Sequence, residues 1–449
     1  MGIQEADSEF VHVCTTSEAG RLVESTVALA PISDRASDQV VLHPEREFQQ
    51  LVGFGGAVTE TVAQLYWGLA PSARKEFLRE HFSVQGRNYR LVRTPVQSCD
   101  FGPGPHSYIN HFWQNPARTF DTSVDEAHVI PLLAEIAAFN PSVEFVLSPW
   151  SPPAFMKTNH CMRFGGHLKA RYEDRWAQVI ALYARKLRDR GVPVRRLTVQ
   201  NEPCARQVWE SCLMDAAQEV HLARKIRAQL AAVGIDDVKI LAWDHNKDLL
   251  VSRFAESQRA WGAEGNPFDG WAFHWYAGDH FDAVAKLAQS GEIPELLMTE
   301  GCEYFSTDPV HRREFGEHYA HDIIGDLNAG THGWIDWNIM LDEHGGPTYV
   351  RNFCSAPVEA DAASGSFTVL PSADYIYHFA HFIEPGARRI DAAGAAGALE
   401  LTAWKNPDGK LVCVVLNRTD AEQDFSLCTG ERIARMSAAP HSIQTITWE

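Results

Sequence analysis

The sequence predicts an α/β fold, a (β/α)8 barrel with an attached β-sandwich domain built from both termini. Three observations support this prediction. The middle of the 449-residue chain holds short apolar runs typical of strands, and amphipathic segments with helical spacing lie between several of them. Both ends alternate apolar and polar residues, which is typical of antiparallel strands. The length suits a barrel of roughly 250–350 residues plus a module of about 100.

Eight apolar runs in the middle of the chain are candidates for the barrel strands. They are Leu51–Thr61, Tyr89–Val96, Val143–Trp150, Leu197–Asn201, Val238–Asp244, Gly270–Tyr276, Leu296–Glu300 and Gly333–Met340. Helical spacing is clearest in Glu173–Arg190, Asp215–Val233 and Phe281–Gln289. Eight strands that alternate with helices favour a closed parallel barrel over an open sheet.

The two ends of the chain predict the sandwich. Glu9–Asp34 alternates apolar and polar residues, and strand-and-turn sequence follows a last predicted helix near Ala373–Phe382. The C-terminal strand candidates are Leu399–Trp404, Leu411–Asn417, Asp424–Leu427, Ile433–Ser437 and Ile443–Trp448. We therefore assign residues 1–45 and 385–449 to one sandwich and residues 46–384 to the barrel. Two unrelated β appendages are the alternative.

Charge and cysteine content exclude several kinds of partner. The net charge of −18 repels phosphate backbones and anionic lipid, which argues against nucleic acid and stable membrane association. Met1–Phe10 is acidic without an apolar run, so we expect no signal peptide. Nine scattered cysteines, without a C-x-x-C pair, are typical of a cytoplasmic protein and predict neither a disulfide framework nor a zinc site. The sequence does not indicate an oligomeric state.

Polar and aromatic side chains follow most of the predicted barrel strands. The C-terminal strand ends of such barrels meet at one face, where active sites lie. Carboxylates, amides and tryptophans accumulate there, a combination suited to binding and cleaving a carbohydrate. These residues are Arg93, Asp100, Trp150, Asn201, Glu202, Asp244, His245, Asn246, His274, Trp275, Tyr276, Glu300, Asp336, Trp337 and Asn338.

Two of these carboxylates, Glu202 and Glu300, each end an apolar run directly before a chain-breaking residue. About three βα units of roughly 30 residues separate them, which places them on the fourth and seventh strands, across the barrel mouth from each other. A retaining glycosidase needs two carboxyl groups about 5–5.5 Å apart. We expect the charge of one to raise the pKa of the other and keep that acid protonated near neutral pH. A solvated loop residue is the alternative for either glutamate alone.

Several sequence blocks, taken together, resemble a known family. The blocks are Gly53–Ala57, Val92–Pro95, Ser98–Phe101, Leu147–Pro153 with Met156–Lys157, Gln200–Pro203, His274–Tyr276, Thr299–Gly301, Gly333–Asn338, Gly345–Pro347 and Val350–Phe353. In this order and over most of the chain, they resemble glycoside hydrolase family 30, which contains glucosylceramidases and related β-glucosidases.

The resemblance implies roles for the residues around the two carboxylates. By position, Glu202 resembles the acid/base of the family and Glu300 its nucleophile. Asn201 would contact the sugar 2-hydroxyl, an interaction that strengthens in the transition state. Tyr276 would donate a hydrogen bond to the nucleophile, and Arg93 would position the nucleophile from below.

The resemblance also implies a sugar subsite. Asp100 and Trp150 match positions that bind distal hydroxyls, Trp337 matches the aromatic floor, and Asn352 matches a further hydroxyl ligand. His274 is included among the substrate-binding residues. Core packing is the alternative for the two tryptophans and for His274.

Other polar residues have open or structural roles. Two histidine pairs have helix-face spacing without a third ligand, so structural roles are expected. They are His318 with His321 and His378 with His381. Four residues near the mouth bind the leaving-group side or stiffen loops: Trp209, Glu210, Asp244 and His245. We expect neither a metal nor another cofactor.

These observations predict a retaining, exo-acting β-glycosidase that acts on a carbohydrate or small glycoside, most specifically a terminal β-linked glucose. The alternatives within the family are a β-xylosidase, a β-fucosidase and a β-1,6-glucanase. A non-catalytic carbohydrate-binding protein on the same scaffold and a metal-dependent barrel hydrolase are alternatives of other classes.

Overall fold

The computed structural model describes residues 9–32, 39–394 and 396–448. Residues 1–8, which carry most of the segment used to predict the missing signal peptide, lie outside the described residues. Asp34, at the end of the first predicted sandwich segment, also lies outside them.

The central domain is a closed barrel of eight parallel strands hydrogen-bonded in chain order. We label them β1 Gly53–Ala57, β2 Leu91–Val96, β3 Glu144–Pro149, β4 Val194–Thr198, β5 Lys239–Asn246, β6 Gly270–His274, β7 Leu296–Glu300 and β8 Gly333–Asn338. All eight predicted strands are confirmed. The fourth begins and ends three residues earlier than predicted, because the chain leaves the sheet at Val199 to form a turn that carries Glu202.

At least one helix follows every barrel strand, as parallel strand pairing requires. The helices are α1 Glu60–Gly68, α2 Pro71–Phe82, α3 Pro116–Thr119, α4 Ser123–Ala127, α5 Val129–Phe139, α6 Glu173–Asp189, α7 Ala216–Ala232, α8 Leu250–Trp261, α9 Phe281–Gln289, α10 Pro309–Ala329 and α11 Pro371–Ala380. The Asp215 carboxylate caps α7 by accepting the Gln218 N–H at 2.8 Å. None of the helices described is both long and apolar enough to span a membrane.

Shorter elements decorate the loops. Single 3-10 turns form at Ala154–Met156, Ala170–Tyr172, Lys247–Leu249 and Gly262–Glu264. Small strands lie in the loops after β7 and β8, at Glu303–Tyr304, Leu341–Asp342, Cys354–Ser355, Val358–Asp361 and Ser366–Val369. Glu303–Tyr304 pairs with Cys354–Ser355, which ties these two loops together above the barrel.

The second domain is a β-sandwich with strands from both termini. Its strands are Phe10–Ser17, Gly20–Ala28, Ala30–Pro31, Gln39–Gln50, Arg388–Gly394, Glu400–Lys405, Leu411–Asn417, Gln423–Thr429, Arg432–Ala438 and Ser442–Trp448. Phe10–Ser17 pairs with Ser442–Trp448, so the two ends of the chain share one sheet. This pairing confirms the predicted sandwich and excludes two unrelated appendages.

The N-terminal segment differs in detail from its prediction as one strand. It turns back at Glu18 and Ala19 into a hairpin, because 26 extended residues would span about 85 Å, far beyond the length of a domain strand. The sequence pattern also missed Gln39–Gln50, whose second half is exposed and polar and which continues past residue 45.

The strand Leu411–Asn417 joins the two domains. All of its residues are buried. Cys413 and Val415 pack in the sandwich core, whereas Val412, Val414 and Leu416 pack in the large core that includes the barrel. Successive side chains of a strand point to opposite faces, so one strand contributes to both cores.

Candidate active site

Three barrel strands carry a β-bulge at their C-terminal ends. The pairing registers skip one residue in each of them: Asp244 in β5, Thr299 in β7 and Trp337 in β8. A bulge interrupts the alternation of side chains and re-aims the residues around it, often beside an active site. Consecutive residues Thr299 and Glu300 consequently both bond to groups inside the barrel mouth.

The backbone around Glu202 is held in an unusual conformation. Glu202 and Asp244 both have left-handed backbones, with φ of 46° and 57°. The Glu202 N–H donates to the Asp244 carbonyl at 2.9 Å, and the Asn201 N–H donates to the Pro149 carbonyl at the same distance. Such conformations cost energy in non-glycine residues and concentrate at functional sites. Glu202 is therefore fixed by β3 and β5 although it lies outside a strand.

Arg93 is the centre of the polar network below the mouth. Its Nη1 donates to Glu300 Oε2 at 2.5 Å, and its Nη2 donates to Asn201 Oδ1 at 2.8 Å and to Asp244 Oδ2 at 2.9 Å. Its Nε donates to Ser148 Oγ at 2.9 Å. Burial lowers the pKa of Arg93, but the charges of Asp244 and Glu300 outweigh burial and raise it. Arg93 thus remains a cation that orients Glu300 from below.

Asp244, which had no assigned role, is the buried anion of this network. Besides Arg93, it accepts hydrogen bonds from Thr198 at 2.6 Å and Thr299 at 2.7 Å, and it contacts His274 Nε2 at 3.2 Å. Burial raises its pKa, but the Arg93 charge and these donors hold the pKa far below its usual value. A carboxylate at the end of a buried strand was the available sequence signal, whereas the two threonines gave none.

The two predicted catalytic carboxylates face each other. One oxygen of Glu202, one oxygen of Glu300 and a ring nitrogen of His274 all lie within 4.8 Å of one another. Tyr276 donates to Glu300 Oε1 at 3.0 Å while Arg93 holds Oε2, so both Glu300 oxygens are oriented. This separation agrees with the about 5–5.5 Å of retaining glycosidases and is shorter than the ~6.5–9.5 Å of inverting ones.

The proton near Glu202 is not where we expected it. His274 is fully buried, with Nδ1 3.5 Å from Glu202 Oε1. Burial lowers the pKa of His274, but the negative charges of Glu300, Asp244 and Glu202 outweigh burial and raise it to about 9. Burial raises the pKa of Glu202, but the neighbouring His274 cation outweighs it and lowers the pKa below its usual value. The expectation that Glu300 keeps Glu202 protonated is therefore wrong for the resting protein, where the proton lies on His274.

The predicted sugar subsite lies beside this network. Asn352 Nδ2 donates to Asp100 Oδ2 at 2.9 Å, and burial raises the pKa of Asp100 to about 8 against this hydrogen bond. Trp150 and Trp337 stack with ring centroids 5.2 Å apart, and Arg93 lies 4.7 and 5.5 Å from those centroids. The indoles are only 2% and 3% exposed. The structure thus brings all ten predicted site residues together, with the two tryptophans also packed as core residues.

The residues with open roles are placed as follows. Glu210 is buried and accepts the Tyr349 hydroxyl at 2.6 Å, while Trp209 packs against the cluster of Trp150 and Trp337. His245 stacks on Trp243, and burial lowers its pKa to about 4, so it is neutral. The paired histidines contact protein groups: His318 Glu303, His321 Glu400 and Asp279, His378 Thr16 and Thr445, and His381 the Gly86 carbonyl.

Both domains match the models of one family. Residues 51–383 match the glycosyl hydrolase family 30 TIM-barrel domain, and residues 386–446 match the glycosyl hydrolase family 30 beta sandwich domain. The chain belongs to glycoside hydrolase family 30. This confirms the resemblance and shows that the protein is a glycoside hydrolase, with the two facing glutamates at the centre of its barrel mouth.

Individual members of the family are similar over nearly the whole chain. The lysosomal acid glucosylceramidase of Mus musculus is 30% identical over 454 aligned positions, covering 96% of this chain and 88% of that protein. An endo-1,6-beta-D-glucanase of Neurospora crassa is 25% identical, covering 84% of this chain and 80% of that protein. The crystal structure of SrfJ from Salmonella typhimurium has a TM-score of 0.94 at 35% identity, covering 98% of this chain and 99% of that one.

Proposed function

We propose that this family 30 hydrolase is a retaining, exo-acting β-glycosidase that releases terminal β-linked glucose. The observation that carries the proposal is the short distance between Glu202 and Glu300, at most 4.8 Å between their nearest oxygens. This spacing suits direct attack by one carboxylate on the anomeric carbon and leaves no room for a water between the carboxylate and the sugar.

In the proposed first step, Glu300 attacks the anomeric carbon and Glu202 protonates the departing oxygen. The attacking oxygen is aligned by Arg93 and Tyr276, which hold both carboxylate oxygens of Glu300. Asn201, fixed by Arg93, is placed for the 2-hydroxyl. In the second step Glu202 takes a proton from water, which attacks the glycosyl-enzyme and releases the sugar and Glu300.

His274 supplies the proton that the first step needs. The Glu202–His274 pair holds one proton in the resting enzyme, on His274 Nδ1. Their 3.5 Å contact is long for a hydrogen bond, and such contacts tighten when substrate binds. Transfer from Nδ1 to Glu202 Oε1 gives the neutral acid, and Asp244 stabilises the imidazole from its other side.

This arrangement predicts the pH dependence of activity. The pair keeps its proton up to the pKa of about 9 held by His274, so kcat/KM should fall as the pH rises through that value. In His274→Gln the proton is carried by Glu202 alone, whose pKa is then raised only by burial and by Glu300. We expect the alkaline fall to move to lower pH by at least about one pH unit.

The control for this measurement is His245→Gln. His245 lies close to Glu202 but is neutral at neutral pH, because burial lowers its pKa to about 4. Its replacement should leave the alkaline fall in place. A His274→Gln profile that superimposes on the wild-type profile would show that the proton is not stored on His274.

Glucose is proposed as the released sugar on two grounds. The mouse relative that matches over 96% of this chain is named a glucosylceramidase. The subsite formed by Asp100, Asn352, Trp150 and Trp337 places a carboxyl, an amide and two indoles beside the nucleophile, which suits a hydroxyl-rich ring with an apolar face. The Neurospora relative keeps β-1,6-glucanase as the second candidate, and β-xylosidase and β-fucosidase remain alternatives.

A substrate panel tests the proposal. We expect the aryl β-glucoside to be hydrolysed faster than the β-xyloside, β-fucoside and β-galactoside, with the β-anomer as the first product in NMR spectra. A chelator should leave the rate unchanged. First release of the α-anomer would contradict retention, and loss of activity with chelator would favour the metal-dependent alternative. Oligosaccharide release from linear β-1,6-glucan without aryl glucoside turnover would favour the glucanase.

A further inference from the structure

Two cysteines lie together beside the proposed nucleophile. Cys302 follows β7, Cys354 lies in the loop after β8, and their sulfur atoms are 3.4 Å apart. All nine cysteines are free thiols. We propose that Cys302 and Cys354 form a modification site, a dithiol that a hydroperoxide converts into a disulfide with loss of glycosidase activity.

The geometry allows the disulfide with small movements. A disulfide needs sulfur atoms about 2.05 Å apart, so the two sulfurs must approach by about 1.4 Å. The strands Glu303–Tyr304 and Cys354–Ser355 are already hydrogen-bonded, with Tyr304 opposite Cys354. The backbone that carries the two thiols is therefore held close before any oxidation.

The dithiol is connected to the catalytic groups on both sides. Cys302 Sγ lies 3.5 Å from the Tyr276 hydroxyl, which in turn donates to Glu300 at 3.0 Å. On the other side, Cys354 follows Asn352, which donates to Asp100. Drawing Cys302 towards Cys354 removes a partner of Tyr276 and shifts the segment that carries Asn352.

An oxidant would reach the pair through the barrel mouth. Cys354 is buried, whereas Cys302 is partly exposed and lies beside Tyr276, which is 42% exposed. The contact with Cys354, together with burial, holds the pKa of Cys302 well above its usual value. The resting pair is consequently a dithiol, and it should react more slowly than an exposed thiolate.

The reaction is a two-electron oxidation of the two sulfurs. Cys302 loses its proton and attacks one oxygen of the hydroperoxide, the O–O bond breaks, and an alcohol (water, for hydrogen peroxide) leaves. The resulting sulfenic acid is attacked by Cys354, which forms the S–S bond and releases water. Two thiols and one hydroperoxide thus give one disulfide, one alcohol and one water.

The test compares peroxide-treated wild type with Cys354→Ser and with Cys204→Ser, which removes an exposed cysteine elsewhere. Peptide mapping of treated wild type should give a linked peptide containing Cys302 and Cys354. Its kcat/KM on an aryl β-glucoside should fall about tenfold or more, as expected when a donor to the nucleophile is displaced. Dithiothreitol should restore the activity, and bound glucose should slow the loss.

The two variants separate this site from general oxidation. Cys204→Ser should behave as the wild type, whereas Cys354→Ser should keep its untreated activity and show neither the linked peptide nor a dithiothreitol-reversible loss. Absence of the linked peptide in treated wild type, or a linked peptide with unchanged activity, would overturn the proposal. The activity readout rests on the proposed function, but the peptide readout does not, so the two proposals can fail separately.

Discussion

Replacing Glu300 by glutamine is expected to abolish turnover, with kcat lower by at least about 10⁴-fold. The amide has the shape of the carboxylate but cannot form the glycosyl ester. The protein should still fold, because Asp244 continues to neutralise the buried Arg93 at 2.9 Å. The measurement is kcat on an aryl β-glucoside, together with thermal unfolding of the variant.

The matched control for Glu300→Gln is Glu303→Gln. Glu303 lies three residues further on and pairs with His318, outside the network around Arg93. We expect this control to retain a rate close to that of the wild type. An undiminished rate in Glu300→Gln would overturn the assignment of the nucleophile.

Replacing Glu202 by alanine should slow hydrolysis according to the leaving group. Alkyl glycosides need a proton on the departing oxygen, so their rate should fall by about 10²–10⁴-fold. Activated aryl glycosides leave as weakly basic phenolates, and formation of the glycosyl-enzyme from them should be much less affected. The measurement is kcat/KM across a series of leaving groups of increasing basicity.

The leaving-group series is its own control, since every substrate meets the same variant. A steeper dependence on leaving-group basicity in Glu202→Ala than in the wild type supports the acid role. If all substrates are slowed by the same factor, the acid is a different group and Glu202 has a structural role.

The sequence predicted the barrel because apolar runs of strand length are a local property. The two glutamates were found for a similar reason, since each ends such a run directly before Pro203 or Gly301. Their placement on the fourth and seventh strands then followed from the regular repeat of the barrel. Where the pattern was weak, as in the polar half of Gln39–Gln50, the strand was missed.

The remaining features of the site depend on contacts between distant segments. The proton lies on His274 because three carboxylates from β5, β7 and the turn after β4 surround one ring. Asp244 becomes the hub of the network through a bulge, and a bulge is a property of strand pairing rather than of one strand. The pairing of Cys302 with Cys354 likewise arises only when the loops after β7 and β8 meet.

The strand Leu411–Asn417 has a consequence for engineering and for evolution in this fold. Val412, Val414 and Leu416 contribute to the same core as the barrel, and burial of each such side chain is worth about 1.5–3 kcal/mol. Together they approach the entire net stability of a typical domain, about 5–15 kcal/mol. A barrel cut free at residue 384 would expose this surface to aggregation. Exchanging parts between family members therefore requires the two domains to move as one unit, while the mouth loops can vary independently.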